Sequence, residues 1–141
     1  MAVLHTTLRS EGTPDQVWSV LREVETFPEF MDGVNEVTVT DEADGRRTSS
    51  WLVELKGSEM EWEQEDVLDA AARRFEFRQT DGDLAHYEGY WQVHEDAEGT
   101  ALELNVEFDV GLPMMEEMIH PAVAKALEGY QQGIVDRSRE A

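Results

Sequence analysis

Two polar side chains, Gln64 and Asp66, occupy a sequence register that otherwise carries large apolar residues. Within residues 58–69 one alternating row is acidic and the other is mostly apolar: Glu59, Glu61, Glu63 and Glu65 against Met60, Trp62, Gln64, Asp66 and Leu68. This alternation predicts a β-strand with the glutamates in solvent and the other row inside. Because an unpaired buried polar group costs about 1–3 kcal/mol, the pattern indicates either a shifted register or an interior cavity with a polar function.

A carboxyl group in such a cavity is suited to acid–base chemistry. Burial would raise the pKa of Asp66, so that it could exchange a proton with the acidic carbon between two carbonyl groups. The amide of Gln64 could donate a hydrogen bond to a ketone oxygen beside it. The alternative is that Asp66 lies near the strand end, pairs with Arg73, Arg74 or Arg78, and has no chemical role.

Large apolar and aromatic side chains recur in the inward registers of the other segments. We expect a ligand-binding wall to be formed by six of them: Trp51, Trp62, Tyr87, Trp91, Phe77 and Met118. Aromatic walls suit planar, oxygenated ligands, and the polar ends of Tyr and Trp each offer one hydrogen bond. The alternative is that these residues only form the hydrophobic core.

The elements that hold these residues follow from turn and capping signals. Residues 13–15, Thr-Pro-Asp, form a helix start with a capping hydroxyl before a proline. Pro28 and Gly33 mark a second short helix and its end. From Val34 to Val110 apolar residues alternate, and turn signals divide this segment into six antiparallel strands. A long amphipathic helix is expected from Pro113 onward.

With the first segment as a seventh strand, this order predicts an α+β fold. We expect a curved seven-stranded antiparallel sheet around a long C-terminal helix, with two short helices after strand one. Residues 1–141 are expected to form a single domain, since this length is in the usual range for one. A concave sheet packed against one helix leaves room for a ligand.

The composition argues against several classes of site and partner. The 141 residues include no cysteine and carry a formal net charge of −21, so thiol chemistry and binding to nucleic acid or an anionic membrane surface are not expected. The histidines show no metal-ligand spacing and no Gly-rich phosphate loop occurs, so we expect no metal and no cofactor. Without a recognisable signal peptide or long apolar run, a cytoplasmic location is expected.

Four stretches of the sequence resemble the polyketide cyclase/dehydrase branch of the START/Bet v 1-like (SRPBCC) superfamily, which has the helix-grip fold. They are TPDQVWSVLREVETFPEF, EWEQEDVLD, RRFEFRQTDGDLAHYEGYWQV and FDVGLPMMEEMIHPAVAKALEGYQQGI. Together they cover nearly the whole chain. In the similar aromatase/cyclases, the strand matching EWEQEDVLD carries a Ser and, two residues later, an Arg. Here Gln64 and Asp66 stand at those positions.

The resemblance implies that the protein binds a hydrophobic, oxygenated small molecule in an internal cavity. It further implies a polyketide cyclase or dehydratase of antibiotic biosynthesis. In such an enzyme we expect Asp66 as acid/base and Gln64 at the carbonyl oxygen, roles that come from the residues themselves and not from the resemblance. An acyl carrier protein is the protein partner that the family implies, and a monomer or homodimer is expected. The alternative is a non-catalytic carrier or chaperone for a quinone, lipid or polyketide. A third reading, a ribosome-associated interaction module, fits the negative charge poorly.

Overall fold

A single curved sheet of seven antiparallel strands forms most of the molecule. The computed structural model describes residues 2–111 and 116–139, and only the backbone of Glu116. The strands are β1 (Ala2–Ser10), β2 (Val34–Ala43), β3 (Arg46–Leu55), β4 (Ser58–Asp69), β5 (Arg74–Gly82), β6 (His86–Asp96) and β7 (Gly99–Asp109). Their order in the sheet is β1-β7-β6-β5-β4-β3-β2, so β2 to β7 form a meander that β1 closes along β7.

Two short helices connect β1 to β2. The first, α1 (Pro14–Arg22), begins with the expected cap: the Thr13 hydroxyl accepts from the backbone amide of Gln16, whose side chain accepts from the amide of Thr13. A 3₁₀ helix, Val24–Glu29, follows and contains Pro28. Both helices bury apolar residues against the rest of the core, so they close one end of the sheet.

One tight turn fixes the pairing of the two strands that carry most of the candidate site. Lys56 and Gly57 form the β3–β4 turn with φ angles of 50° and 80°, the left-handed conformation that two-residue hairpin turns require. Leu55 therefore pairs with Ser58, and each residue of β3 has a fixed partner on β4 as far as Arg46 and Val67. The register of this hairpin is set locally, by its turn.

Glycines permit the closest strand contacts. A Cβ atom added at Gly89 on β6 would collide with the backbone of Asn105 and Val106 on β7. One added at Gly82, at the end of β5, would collide with Trp62 on β4. Both positions bring neighbouring backbones closer than any other residue allows.

The long C-terminal helix, α2 (Glu116–Ser138), crosses the concave face and is held at its C-terminal half by polar contacts. The buried amide of Gln131 donates to the carbonyls of Thr6 on β1 and Leu102 on β7, at 3.1 and 2.8 Å. The Ser138 hydroxyl meets that of Ser10 at 2.8 Å. This half of α2 is therefore fixed to the β1–β7 side of the sheet.

The α+β helix-grip architecture predicted from the sequence is confirmed, including the six-stranded meander and the helices after β1. The predicted helix start at Pro113 lies outside the described residues. The concave face, the two short helices and α2 enclose one hydrophobic cluster, and this cluster contains the candidate site.

Candidate functional site

The space between the concave face and α2 is nearly filled by side chains. An inner void of about 20 Å³ is lined by aromatic residues and one amide: Phe27, Trp51, Trp62, Gln64, Phe75, Phe77, Tyr87, Trp91 and Tyr130. A second void of about 30 Å³ lies nearer α2 and shares Trp62, Tyr87 and Tyr130 with the first. A water molecule needs at least about 10–15 Å³, so each void has room for one or two waters and is too small for a ligand.

Stacked aromatic rings form the wall of the inner void. Trp51 and Trp62, cross-strand partners on β3 and β4, stack with centroids 5.8 Å apart and planes 5° from parallel. Tyr87 of β6 contacts Trp62 edge-on at 5.2 Å and Phe77 at 5.1 Å. These contacts extend across four strands of the sheet, β3 to β6. The wall presents flat apolar surface with indole and phenol groups at its edges.

Asp66 lies behind this wall and is fully buried. Its Oδ2 accepts from Nε of Arg47 at 2.7 Å and from the Ser49 hydroxyl at 3.0 Å, and its Oδ1 accepts from Nε2 of Gln64 at 2.7 Å. The Arg47 side chain is only 4% exposed. The carboxylate is thus held in a buried ion pair with two further hydrogen bonds.

The two tryptophans join the same network through their indole nitrogens. Nε1 of Trp51 donates to Ser49 and Nε1 of Trp62 donates to Oε1 of Gln64, at 2.9 and 2.8 Å. A glutamine amide has two N–H hydrogens, and the contact with Asp66 uses one. Gln64 lines the inner void, whereas Asp66 does not. The second hydrogen of Gln64 is the part of this network positioned to reach a ligand.

Burial and hydrogen bonding act on Asp66 in opposite directions. Burial raises the pKa of the Asp66 carboxyl, and the contacts with Arg47, Gln64 and Ser49 reduce that rise without cancelling it. Nη1 of Arg47 donates to the carbonyl of Arg22 at 2.6 Å, but its buried Nη2 has no partner among the described residues. Burying this ion pair therefore costs desolvation energy, and one donor group of the Arg47 guanidinium lacks a hydrogen-bond acceptor.

Two half-buried phenols border the voids. Neither Tyr87 nor Tyr130 of α2 makes a hydrogen bond through its hydroxyl within the described part of the chain. Burial raises the pKa of Tyr130 to about 12 and that of Tyr87 further, so both remain neutral donors at physiological pH. Both hydroxyls can therefore donate to a polar group that comes to lie beside them.

An open groove adjoins the inner space. It has a volume of about 760 Å³ and lies along α2 from Met118 to Asp136, facing the residues after the 3₁₀ helix and the β3–β4 turn. Leu55, Ala126 and Tyr130 line both the groove and the void nearest α2. Tyr130 lines all three spaces. Movement of this one side chain would connect the groove to the aromatic wall.

The structure places the predicted site residues in two groups. Five of the six predicted wall residues line the inner void together with Gln64: Trp51, Trp62, Phe77, Tyr87 and Trp91. Met118 does not join them, because it is 63% exposed and lies on the outer groove. Pro121 and Ala122, one turn further along α2, line the same groove. The expected inward position of Met118 is therefore wrong.

The arginines proposed as alternative partners of Asp66 do not contact it. Arg73 pairs with Asp15 and Arg74 with Glu76, while Arg78 is exposed on the convex side of β5. Asp66 also lies within β4 rather than at its end. On β5 its partner is Phe77, and because strand side chains alternate, Arg78 points to the opposite face.

Three residues of the site were missed from the sequence: Arg47, Ser49 and Tyr130. The signal for the first two was the tight turn at Lys56 and Gly57. Counting outward from it pairs Arg47 with Asp66 and Ser49 with Gln64. Tyr130 gave no separate signal, because it stands in the apolar stripe of α2.

The convex face carries two clusters that combine histidine with glutamate. Glu103 accepts from His5, His94 and Tyr90. His86, Glu88 and Glu107 bring possible ligand atoms within 4.8 Å of one another. Strand pairing brings Glu103 and Glu107 of β7 beside these histidines. Spacing along the sequence does not show this proximity.

No helix in the described ranges is both long and apolar enough to cross a lipid bilayer.

Comparisons with known proteins agree with the fold. Residues 11–134 match the family model described as polyketide cyclase/dehydrase and lipid transport. Among curated proteins no sequence matches this chain.

Solved structures with the same fold have low sequence identity. A Thermus thermophilus protein, TTHA0849, has a TM-score of 0.92 at 20% identity, covering 99% of this chain and 98% of its own. The Zhui aromatase/cyclase of Streptomyces sp. R1128 has a TM-score of 0.89 at 21% identity, with 98% and 93% covered. A START superfamily protein of Mycobacterium smegmatis has a TM-score of 0.85 at 15% identity, with 98% and 97% covered.

The family match spans the two short helices, the sheet from β2 to β7 and most of α2, and it includes every residue of the Asp66 network. The chain therefore belongs to the polyketide cyclase/dehydrase and lipid transport family, and it has the helix-grip fold.

Proposed function

We propose that this protein binds a hydrophobic, oxygenated small molecule between the concave face and α2, and acts on it as a polyketide cyclase or dehydratase. One observation carries the proposal: unpartnered donors face the inner voids beside a buried carboxylate. The donors are the hydroxyls of Tyr87 and Tyr130 and the second amide hydrogen of Gln64. Each of them can donate to an oxygen atom of a ligand in this space.

A ligand enters only if the interior expands. Small-molecule sites usually measure about 300–1,000 Å³, far more than the two voids of about 20 and 30 Å³. The groove of about 760 Å³ is large enough, and Tyr130 separates it from the wall. We infer that Tyr130 and the flexible side chain of Met60, which lines the void nearest α2, move when a ligand binds.

The proposed chemistry assigns separate roles to Gln64 and Asp66. Gln64 and Tyr87 donate hydrogen bonds to carbonyl oxygens of the ligand and stabilise the enolate that forms there. Asp66 takes the proton from the carbon between two carbonyls, and that carbon bonds to a second ketone carbon of the same chain. The new alkoxide receives that proton and becomes a hydroxyl. In the dehydration Asp66 takes the remaining hydrogen of the same carbon as a proton and passes it to the hydroxyl, which leaves as water while a C=C bond forms. Asp66 becomes accessible when Gln64 swings away from Oδ1.

The catalytic role is tested by product analysis with a poly-β-ketone-forming synthase in one host. Asp66→Asn and Gln64→Leu should each abolish the cyclised product, whereas Glu61→Gln on the solvent face of the same strand should leave it unchanged. Circular dichroism checks that each variant is folded. A folded Asp66→Asn protein with unaltered product formation would disprove the acid–base role.

A second candidate is a non-catalytic carrier or chaperone for a quinone, lipid or polyketide. The observation that favours it is the occupation of Asp66 by three donors, which leaves no free carboxylate at the void. A carrier would retain its ligand through purification and release it unchanged. Native mass spectrometry of the protein from its own host detects such a ligand, and its mass before and after incubation separates carrier from enzyme.

The proposal includes an acyl carrier protein as the donor of the polyketide chain, and a monomer or homodimer as the working unit. The groove beside α2 is the opening through which a tethered chain would reach the wall. Size-exclusion chromatography with light scattering, run with and without a loaded carrier protein, measures the oligomeric state and the binding of the carrier protein. A complex that forms only with the loaded carrier supports this partner.

A further inference from the structure

Both lysines of the chain line the same groove. Lys56 stands in the β3–β4 turn and Lys125 on α2, and both side chains border the groove beside Tyr130. They are the only lysines in a sequence with 32 acidic residues. Two elements distant in sequence thus bring these two cations to the opening that leads to the inner space.

Neither lysine is paired with an acid. Both lysines are exposed. Within the described residues no ion pair or hydrogen bond involves the side chain of either one. By contrast, Arg9, Arg46 and Arg73 on the exposed surface all have acidic partners. The lysine charges remain available to a ligand.

The groove differs in charge from two other depressions on the surface. One, on the convex face, is lined by five acids and no base: Glu36, Glu61, Glu63, Asp81 and Asp83. Another combines four glutamates with two arginines. The groove has two lysines against Asp32 and Asp136, and Asp136 already accepts from Gln132 at 2.9 Å. In a strongly negative protein, its potential is therefore the most favourable of the three for an anion.

We propose that the ligand is an anionic amphiphile whose carboxylate or phosphate lies at the groove between Lys56 and Lys125, while its apolar part extends past Tyr130 to the aromatic wall. This inference rests on the proposed function, because it assumes a ligand in the inner space. It adds the class of ligand and its direction: charged end outward, oxygenated apolar end at Gln64 and Tyr87. An uncharged molecule of the same shape would lack the contacts at the groove.

The test compares probes that differ only in charge. The probes are 4-(2-naphthyl)butanoate, its primary amide and 3-(2-naphthyl)propyl phosphate, titrated by calorimetry at low salt. Since each exposed ion pair contributes roughly 0.2–1 kcal/mol, contacts with two lysines should make an anion bind about two- to thirtyfold more tightly than the amide. Preference for the carboxylate or for the phosphate identifies which anion the groove accepts.

Variants locate the preference. Lys56→Gln and Lys125→Gln should each reduce the anion-to-amide ratio, the double variant should abolish it, and amide binding should stay constant. Lys125→Arg should retain the ratio, Asp32→Asn should increase it, and Arg78→Gln, on the convex face, should leave it unchanged.

The outcomes separate this inference from the proposed function. Equal binding of the amide and the anions, or a ratio that survives the double lysine variant, overturns the anionic ligand and leaves binding in the inner space intact. If no probe binds, the proposed inner site fails as well.

Discussion

Asp66 on the concave face and Glu103 on the convex face are both carboxylates held by three side chains, yet their surroundings are opposite. Asp66 accepts from Arg47, Ser49 and Gln64 and is fully buried. Glu103 accepts from two histidines and a tyrosine, and its side chain is 16% exposed.

The pKa of each carboxyl reflects that difference. For Asp66, burial raises the pKa and its three partners do not restore it. For Glu103, burial also acts to raise the pKa, but the contacts from His94, His5 and Tyr90 outweigh it and the pKa is lowered. An equal number of donors thus gives opposite results, because desolvation is larger inside the sheet.

Removing the cation from the inner pair should have the largest effect. Arg47→Gln leaves a buried carboxylate with no opposite charge, which costs about 3–5 kcal/mol of the free energy of unfolding. Arg46→Gln, its neighbour on the outer face, breaks only an exposed pair with Glu65 and should cost less than about 1 kcal/mol. Urea denaturation measures the free energy of unfolding of both variants. Equal losses would show that the buried pair stabilises the protein no more than the exposed pair does.

Replacing the whole inner pair with apolar groups should cost far less. In Arg47→Met/Asp66→Leu no buried charge remains unpaired, so stability should return to within about 2 kcal/mol of the native protein. If the double variant is as unstable as Arg47→Gln, packing rather than charge accounts for the loss. Gln64 would keep its bond from Trp62 in this variant.

The outer carboxylate should contribute less than the inner pair. Glu103→Gln weakens two exposed histidine contacts and should cost about 1 kcal/mol or less, seen as a shift in Tm of a few degrees. Glu107→Gln on the same strand serves as a control. A loss equal to that of Arg47→Gln would contradict the comparison.

The two carboxylates should also affect the pH dependence of stability in opposite directions. The raised pKa of Asp66 means that the folded state binds the proton of this carboxyl more tightly than the unfolded state does. The contribution of Asp66 to the free energy of unfolding therefore falls as the pH rises above 3.8, the pKa of the unfolded state. The lowered pKa of Glu103 stabilises the folded state above pH 4.5, and this stabilisation is lost as the pH falls below that value.

Denaturation of Asp66→Asn and Glu103→Gln between pH 3 and pH 7 measures these slopes. Relative to the native protein, the first variant should gain stability with rising pH, and the stability deficit of the second should shrink as the pH falls. Parallel curves for both variants would show that burial does not distinguish the two sites.

The smallest effect on stability is expected at the inner phenol. Because the Tyr87 hydroxyl makes no hydrogen bond within the described residues, Tyr87→Phe should change the free energy of unfolding by less than about 0.5 kcal/mol. It should nevertheless weaken binding of a ketone-bearing naphthyl ligand about tenfold, since a hydrogen bond contributes about 0.5–1.5 kcal/mol. Calorimetry and denaturation on the same sample separate the two.

Much of the hairpin that carries the site could be predicted from residues 46–69. The alternation of β4 correctly predicts that Gln64 and Asp66 face the interior, and the turn signals correctly divide this part of the chain into strands. Met118 shows the limit of such reasoning. An amphipathic stripe is wide, and only the angle at which α2 crosses the sheet decides which edge of it becomes exposed.

The sequence by itself determined the order of elements, the inward row of β4 and the aromatic character of the interior, because strand alternation and turn chemistry are local. The contacts between those residues follow only from the way the strands pair and α2 packs. Pairing of β3 with β4 places Arg47 against Asp66, and packing of α2 brings Tyr130 to the voids and Lys125 to the groove beside Lys56. These contacts join residues far apart in the chain, and local patterns do not encode the distances between them.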